Sequence, residues 1–531
     1  MASSAAQARI NAAREVARAI AGMRSKPSPR KLMALKRAAC KRHGLSEMLS
    51  NAELLEALPS AVLREKKQFF RTRQVRSLSG VCVVAIMARP AECPHGRCAY
   101  CPGGPQNNSP QSYTGREPAA MRASQNGFDS FAQVRARLDQ LRAIGHEPQK
   151  CELIVMGGTF NAQPLEYQRV FLKRAFEAFN EGTSRSLEAA IKANEGARHR
   201  VVGLTFETRP DWATRERISR LVDWGATRIE LGVQTLSDEV YKKVERGHSV
   251  ADVVEATQTC KDALLKVGYH WMPGLLCGPR DDERMFKRLF SDSRFRPDML
   301  KIYPCLVMPG TKMFEWWEKG EFVPYDAETA ARVVARLKRL VPPYCRVMRV
   351  ERDIPVQLIA AGVKKSNLRQ LVRKEMLERG WECKCIRCRE VGFKQAAGAK
   401  IDWSAVELKR FDYEASGGKE VFLSFEEPGA DALVAFLRLR LPGRPWRKEF
   451  REGDAGVREL HVYGEQLLVG ERKEVAAQHK RFGRLLLGEA ERIAGEEWGS
   501  RKLFVISGVG VRPYYKRLGY AQDGAFVSKK L

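Results

Sequence analysis

The 531-residue chain has no run of 18 apolar residues, and its start lacks the uninterrupted apolar core of a secretion signal. Acidic residues are scarce beside basic ones, with 63 Asp and Glu against 92 Lys and Arg and a formal net charge of +29. These absences predict a cytoplasmic protein that has no membrane partner and whose 13 cysteines form no disulfide scaffold. The positive excess indicates a polyanionic partner, nucleic acid first, unless the composition is simply basic throughout.

Composition and hydrophobic pattern divide the chain into four predicted domains. Residues 1–76 carry 17 Lys and Arg against 5 Asp and Glu and form a basic helical region, which suits a phosphate backbone but also fits a solvated helical face. Residues 77–375 alternate strands with helices. Residues 376–395 are a cysteine-bearing connector, and residues 396–531 form a small α+β domain.

Six short apolar runs within residues 77–375 are separated by amphipathic helical stretches. Strands separated by helices pair in parallel through right-handed crossovers, so the sequence predicts an α/β fold with a partial (β/α)6 barrel. In such folds the chemistry lies at the C-terminal ends of the strands. The predicted strands are 81–88, 153–156, 201–206, 228–233, 268–272 and 300–303.

Two cysteine groups point to metals. Cys93, Cys98 and Cys101 follow the first predicted strand with C-x4-C-x2-C spacing, which fits a 4Fe–4S cluster with one open iron; a zinc site completed by His95 is the alternative. Cys383, Cys385 and Cys388 lie within six residues and favour zinc, with Cys305 as the candidate fourth ligand. A second iron–sulfur cluster or three free thiols are the alternatives for the second group.

The first cysteine group lies in a longer motif, CPHGRCAYCPGGP over residues 93–105. Further motifs are MGGTF from Met156, FETRP from Phe206, ELGVQ from Glu230 and RGH from Arg246. Together these motifs resemble the radical S-adenosylmethionine (SAM) superfamily and, within it, the catalytic subunits of Elongator, in the archaeal and bacterial branch. The resemblance covers roughly residues 45–531 and implies a tRNA-modifying enzyme.

This resemblance implies roles for barrel residues. The open iron of the cluster would bind S-adenosyl-L-methionine, whose cleavage yields the radical that starts the reaction. Gly157, Gly158 and Thr159 would form the glycine-rich turn beside it, because glycine lets the backbone approach a ligand closely. Glu207 and Gln234 would contact its ribose or sulfonium. Lys150 would contact acetyl-CoA.

The C-terminal domain resembles GNAT-type acetyltransferases, in which a loop and a helix start hold the coenzyme A pyrophosphate. The loop motif begins at Gln478, but Arg481 stands where its first glycine belongs. The resemblance implies Tyr514 and Tyr515 as catalytic residues that orient the thioester. It implies that the following residues line the acetyl-CoA site: Glu459, Leu460, His461, Val462, Phe482, Gly483, Arg484 and Tyr515.

The expected function is the formation of 5-carboxymethyluridine at the wobble position of tRNA, from a SAM-derived radical and acetyl-CoA. The expected cofactors are a 4Fe–4S cluster, S-adenosyl-L-methionine and Zn²⁺, and the expected partner is the tRNA anticodon stem-loop. A homodimer or Elongator-like partner subunits stay open. The alternatives are a lysine acetyltransferase with the barrel as a platform, a non-catalytic RNA-binding scaffold and a methylthiolating radical enzyme.

Overall fold

The computed structural model describes residues 2–59, 62, 80–464 and 481–531. These form two compact units, one made of Met1–Ser77 with Arg135–Gln149 and the other of Leu78–Val134 with Lys150–Leu531. Apart from Arg135–Gln149, nearly all of the predicted barrel lies in the second unit together with the C-terminal domain, so the boundary between these two domains stays a prediction. Within the described residues, no helix has the length and hydropathy needed to cross a lipid bilayer.

The first unit is built on three N-terminal helices, Ala2–Ala21, Pro29–Arg42 and Asn51–Ala57. Ser28 and Ser50 accept hydrogen bonds at the starts of the second and third helices. These side chains satisfy amide groups that have no partner within a helix. Small and branched apolar residues, from Ala12 to Leu58, form a shared core. The basic helical region predicted over residues 1–76 is described only in part, because residues 60, 61 and 63–79 lie outside the described residues.

Seven parallel strands, paired in chain order, form the barrel sheet of the second unit. This confirms the parallel α/β fold, but the predicted count of six strands is wrong. The seventh strand has the sequence RVMR, in which only Val347 is buried, so no apolar run marks it. The strands are β1 Cys82–Met87, β2 Lys150–Met156, β3 Arg200–Thr208, β4 Arg228–Gln234, β5 Lys266–Trp271, β6 Met299–Ile302 and β7 Arg346–Arg349.

Amphipathic helices follow these strands and cover the sheet. Leu165–Asn180, between β2 and β3, has the bounds that its hydrophobic period predicts, and its apolar face includes the buried Phe171, Leu172 and Phe176. The described α-helices of this part are Pro118–Gln125, Ser130–Ala143, Leu165–Asn180, Leu187–Asn194, Arg215–Asp223, Asp238–Lys243, Val250–Asp262, Pro279–Ser291, Lys312–Glu318, Ala327–Arg339 and Leu368–Glu378.

A second, mixed sheet of seven strands forms the C-terminal part, preceded by the short helices Ile386–Arg389 and Val391–Ala396. Its strands are β8 Glu407–Ala415, β9 Gly418–Glu427, β10 Ala432–Leu441, β11 Ala455–Val462, β12 Lys502–Val505, β13 Ala521–Asp523 and β14 Phe526–Lys530. Their order is β13-β14-β12-β11-β10-β9-β8, and only β11 and β12 pair in parallel. The helices Phe482–Arg492 and Arg512–Lys516 belong to this part.

Buried charges join the second sheet to the barrel. Asp298, just before β6, accepts hydrogen bonds from both Nη atoms of Arg458 on β11. Glu420 on β9 accepts from Arg440, which also contacts Asp262. All five side chains are fully buried. Buried ions keep their charge only when opposite charges surround them, so these residues stabilise the fold as a set.

We predict that Asp298→Asn lowers the free energy of unfolding at pH 7 by about 3–5 kcal/mol, because it leaves buried arginines without their anion. Burial alone would raise the pKa of Asp298, but Arg458 and Lys261 hold it well below its usual range. The stability gained from this carboxylate is therefore complete at neutral pH and is lost as the pH falls below about 4, the ordinary pKa. Urea unfolding at pH 7 and pH 3 measures both effects.

The matched control is Asp412→Asn, because Asp412 pairs with Arg410 in solvent on β8. Its effect should stay below about 1 kcal/mol at either pH. Equal effects of the two substitutions would contradict the role given to the buried network.

A second prediction concerns Arg481, the residue before the helix Phe482–Arg492. Its φ is 59° and its ψ is 14°, a left-handed conformation that costs an L-residue about 1–2 kcal/mol. We predict that Arg481→Gly raises the free energy of unfolding by about 0.5–1 kcal/mol, after the greater freedom of glycine in the unfolded chain is subtracted. Arg484 lies inside this helix and has helical backbone angles, so Arg484→Gly should lower the free energy of unfolding by about 1 kcal/mol. A loss of stability in both variants would exclude strain at Arg481.

Candidate active site

The first cysteine group lies directly after β1, at the C-terminal edge of the barrel sheet. Cys98 and Cys101 are buried and Cys93 is half-buried. The Ser112 amide donates to Cys101 Sγ at 3.1 Å, and Thr159 Oγ1 lies 3.7 Å from Cys93 Sγ. Burial raises the pKa of both Cys93 and Cys101, and neighbouring cysteines add to the rise. Thiols whose pKa is raised in this way become thiolates when a bound metal cation stabilises their negative charge.

The predicted glycine-rich turn packs against this cysteine loop. Gly157 and Gly158 have φ values of 126° and 74° at the end of β2. A Cβ on Gly157 would lie 3.1 Å from Ala88 Cβ, and one on Gly158 would lie 3.4 Å from the Gln111 carbonyl oxygen. Both positions therefore require glycine, as the sequence predicted for a turn that approaches a ligand closely.

Glu207 and Gln234 also lie at this edge of the sheet. Glu207 accepts a hydrogen bond from the Tyr113 hydroxyl at 2.5 Å and contacts Lys301 Nζ at 3.2 Å. Gln234 ends β4 with a φ of 71°, after a register shift in the pairing with β5. The structure thus brings the residues predicted to contact S-adenosyl-L-methionine to the end of the barrel that carries the cysteines.

Three further polar residues inside the barrel were missed by sequence analysis. Glu230, His270 and Lys301 lie on β4, β5 and β6, and His270 Nε2 lies 3.0 Å from Glu230 Oε2. Glu207, Glu230 and His270 place donor atoms within 4.8 Å of one another, as metal ligands do. Lys301, however, forms ion pairs with both carboxylates. Burial opposes its charge, but Glu230 and Glu207 raise the pKa of Lys301, so its ammonium is the cation of this group.

His95, the alternative ligand for a zinc ion at the first cysteine group, lies inside the cysteine loop. Its Nε2 is 3.1 Å from Cys98 Sγ. Burial lowers the pKa of His95 to about 3, and the charges of Arg209 and Arg246 contribute to the shift. His95 is therefore neutral at pH 7 and adds no positive charge to the loop.

The second cysteine group has a tighter geometry. The sulfurs of Cys383, Cys385 and Cys388 lie within 4.8 Å of one another, and Lys338 Nζ is 3.7 Å from Cys388 Sγ. Sulfur ligands at 2.3 Å around one tetrahedral zinc ion stand about 3.8 Å apart, so this spacing fits a single ion. Within the described residues, the sulfurs of Cys93, Cys98 and Cys101 do not form such a group with all distances below 4.8 Å. Their wider separation suits a cluster of several irons better than a single ion.

The structure does not bring Cys305 to the second group. Cys305 is buried in an apolar cluster with residues such as Met272 and Val307 of the barrel. Burial raises the pKa of Cys305 to about 12, with a smaller contribution from Asp282. The sequence contained no signal for this placement, because it follows from long-range packing.

The second sheet opens between β11 and β12. Among the described residues, these strands pair only over Ala455–Val457, and the rest of β11 has no strand partner on that side. The helix Phe482–Arg492 begins beside this opening: a Cβ on Gly483 would lie 3.2 Å from the Tyr514 hydroxyl and 3.4 Å from Val462 Cγ2. The structure thus brings together Leu460, Val462, Gly483 and Tyr514 at a helix start, where free amide groups can bind an anion.

The remaining predicted acetyl-CoA residues occupy several positions around this helix start. Tyr515 is buried with its ring 5.2 Å from that of Tyr514, Phe482 packs on Phe425, and Arg484 is exposed. Glu459 and His461 lie on the opposite face of β11, where Glu459 accepts from Arg438 Nε at 2.8 Å and His461 stacks on Phe436. Gln478, the predicted start of the loop, lies outside the described residues.

Lys150 begins β2 at the other end of the barrel. It pairs in register with Arg200 of β3, and a Cβ on Gly510 would lie only 2.4 Å from Arg200 Cβ. The loop that contains Gly510 therefore approaches this end of the barrel closely. Burial lowers the pKa of Lys150, and Arg200 lowers it further. The position of Lys150 fits a contact with a ligand held by the second sheet.

Comparisons with known proteins agree with this arrangement. The Radical SAM superfamily model matches residues 91–290, and the Radical_SAM C-terminal domain model matches residues 297–378. The chain is 50% identical over 493 residues to a tRNA uridine(34) acetyltransferase of Methanocaldococcus infernus, covering 91% of each chain. It is 42% identical over 500 residues to Elongator complex protein 3 of Homo sapiens, covering 92% of this chain and 91% of that protein.

A solved structure extends the comparison to three dimensions. The archaeal Methanocaldococcus infernus Elp3 with an N-terminus deletion (1-46) matches with a TM-score of 0.76 and 47% identity, covering 86% of this chain and 100% of that chain. The chain therefore belongs to the family of tRNA uridine(34) acetyltransferases and Elongator complex protein 3, within the radical SAM superfamily.

Proposed function

We propose that this protein modifies the wobble uridine of tRNA, using a SAM-derived radical and acetyl-CoA to form 5-carboxymethyluridine. The observation that carries the proposal is the presence, in one compact unit, of a cysteine-bearing radical SAM barrel and an opened acetyltransferase-like sheet. Relatives named tRNA uridine(34) acetyltransferase support the substrate. A radical enzyme that did not transfer an acyl carbon would have no use for the second sheet.

Membership of the radical SAM superfamily implies a 4Fe–4S cluster and S-adenosyl-L-methionine, which supply one-electron chemistry when bound. Cys93, Cys98 and Cys101 would hold the cluster. The glycines of the adjacent turn leave room beside it, since a Cβ on Gly158 would stand 3.8 Å from Cys93 Sγ. The donor set therefore fits the group that the family implies.

The charged group inside the barrel would control protons near the radical. Lys301 bridges Glu207 and Glu230, and the Tyr113 hydroxyl donates to the free oxygen of Glu207. These contacts hold Glu207 as an acceptor at the sheet edge where we place S-adenosyl-L-methionine. A fixed, buried carboxylate can orient a ligand hydroxyl without reorganisation during the reaction.

The second sheet would bind acetyl-CoA at the start of the helix Phe482–Arg492. The amide groups there can donate hydrogen bonds to the pyrophosphate, and the Tyr514 hydroxyl lies beside Gly483. Burial raises the pKa of Tyr514, so it stays a hydrogen-bond donor at pH 7 and can orient the thioester carbonyl. Lys150 would contact the same ligand from the barrel side.

The prediction for function uses the purified full chain with a reconstituted cluster under anaerobic conditions. Dithionite, S-adenosyl-L-methionine, acetyl-CoA and unmodified tRNA should give a wobble uridine that carries a carboxymethyl group, measured by mass spectrometry of the digested tRNA. Cys98→Ala should abolish the product, because it removes a cluster ligand. A tRNA with cytidine at the wobble position is the matched substrate control.

Two results would contradict the proposal. Lysine acetylation of a protein that persists in Cys98→Ala would favour the acetyltransferase alternative. Binding of tRNA without cleavage of S-adenosyl-L-methionine would favour the RNA-binding scaffold.

Binding of tRNA to the basic chain should weaken steeply with salt. The affinity should fall by about 10³-fold or more between 50 and 200 mM salt if about six or more phosphates are contacted.

We also propose that Cys383, Cys385 and Cys388 hold a zinc ion. The mutual spacing of their sulfurs within 4.8 Å supports one tetrahedral ion, and thiolate ligands are those that zinc prefers. The site would fix the connector beside β7, since the Ile386 amide donates to the Cys345 carbonyl oxygen.

Metal analysis of purified variants tests this assignment. Cys385→Ser should lose zinc and keep most of its iron, whereas Cys98→Ala should lose iron and keep zinc. Cys305→Ser should keep both, because Cys305 packs in the apolar cluster of the barrel. Loss of zinc in Cys305→Ser would make Cys305 a ligand after all, and loss of iron alone in Cys385→Ser would make the second group an iron–sulfur site.

A further inference from the structure

A buried arginine faces the first cysteine group. Arg246 lies in the loop between the helices Asp238–Lys243 and Val250–Asp262. Its Nη1 donates to Cys98 Sγ at 3.4 Å, and its Nη2 donates to the Gly232 carbonyl oxygen at 2.7 Å. The side chain is only 7% exposed. One nitrogen of the guanidinium is therefore directed at Cys98, a residue that would bind the cluster.

The surrounding chain holds Arg246 in this position. A Cβ on Gly232 would stand 2.4 Å from Arg246 Nη2, so only glycine leaves room for the guanidinium against β4. Arg209 donates to the carbonyl oxygens of Arg246 and Gly247 at 2.7 and 3.1 Å. The Ala99 amide donates to the Val244 carbonyl oxygen at 3.0 Å, which ties the loop of Arg246 to the cysteine loop.

Arg246 pairs with no carboxylate of the described residues. Arg209 forms an ion pair with Asp211, but among the ion pairs of the described residues none includes Arg246. A buried cation without an opposite charge is costly, so its stable placement needs an anion nearby. Among the described residues, its side chain donates only to Cys98 Sγ and to the Gly232 carbonyl oxygen, neither of which is a carboxylate. The cysteine-bound cluster would provide the missing negative charge.

We propose that Arg246 is a positioning residue that sets the reduction potential of the 4Fe–4S cluster. Its positive charge and its N–H bond to Cys98 Sγ favour the reduced cluster, which carries one more negative charge than the oxidised one. Hydrogen bonds to ligand sulfurs and local charge are among the factors that set such potentials. The proposal requires only the cluster implied by the radical SAM superfamily, so it stands or falls separately from the tRNA reaction.

The experiment is a redox titration of the reconstituted full chain, with the reduced cluster followed by electron paramagnetic resonance and dithionite as the one-electron reductant. S-adenosyl-L-methionine and tRNA are omitted, so turnover does not enter the measurement. Arg246→Gln should make reduction at least tenfold less favourable, a potential 59 mV more negative for one electron. Arg246→Lys keeps the charge but loses the forked donor and should lie between that variant and the unaltered protein.

Arg97→Gln is the matched control, because Arg97 lies in the cysteine loop itself but bonds backbone oxygens rather than sulfur. Its Nε donates to the Cys101 carbonyl oxygen and its Nη2 to that of Gly310. It is half-exposed, so water screens its charge, and its removal should shift the potential by less than a third of the shift in Arg246→Gln.

Three outcomes would overturn the proposal. The first is full cluster content in Arg246→Gln with an unchanged potential. The second is an equal shift in Arg97→Gln, which would indicate a general charge effect. The third is failure of both Arg246→Gln and Arg246→Lys to take up iron while their unfolding matches the unaltered protein, which would make Arg246 an assembly residue.

Discussion

The contact between the two sheets depends on buried opposite charges that neutralise one another as a set. Asp298 accepts both arms of the Arg458 guanidinium, and Glu420 contacts Arg458 and Arg440 from the other strand. Removing any one of these groups leaves the buried charges unbalanced, so the sheets can be joined with little energetic penalty in one arrangement only. Apolar packing alone would allow the two sheets to shift relative to each other at a small cost in free energy. A reaction that uses groups on both sheets needs this fixed relation.

The two ends of the barrel strands face different neighbours. Cys93, Cys98 and Cys101 lie at the C-terminal ends, whereas Lys150 and Arg200 lie at the N-terminal ends, close to the loop of Gly510. The interior between them contains Glu230 and Lys301, although barrel interiors are usually filled by branched apolar side chains. Buried charges of this kind cost stability and are retained where they have a function. We therefore propose that the polar interior serves the chemistry rather than the packing.

Sequence patterns predicted the elements that carry a periodic signal. Six barrel strands and the helix Leu165–Asn180 follow from apolar runs and a 3.6-residue period. β7, β8, β13 and β14 were missed. β7 has a single buried residue, and β8 is exposed on both faces over its first six residues. Short motifs identified the cysteines and the glycine-rich turn.

The sequence could not predict groups of side chains that come together only through the register of the paired strands. His270 and Lys301 are neighbours because β5 and β6 pair in that register, and Glu230 lies on the next strand. Each is a single polar residue within an apolar run, which carries no pattern of its own. Arg246 was visible as part of a motif, but its direction toward Cys98 depends on the space left by Gly232. Cys305 was placed wrongly near the second cysteine group for the same reason, since apolar packing decides its neighbours.

The two cysteine groups differ in how their spacing along the chain places their sulfurs, which is the basis of the metals proposed for them. The C-x-C-x2-C group folds its sulfurs within 4.8 Å of one another, a separation that one ion can span, and Lys338 lies beside it. The C-x4-C-x2-C group is spread around a turn, with Ser112 and Arg246 directed at separate sulfurs. Donors at separate sulfurs would stabilise charge that is shared over a cluster, whereas a single divalent ion would offset most of the charge of three adjacent thiolates. Under the proposed assignment, the same residue type serves a structural ion in the connector and a redox cluster in the barrel.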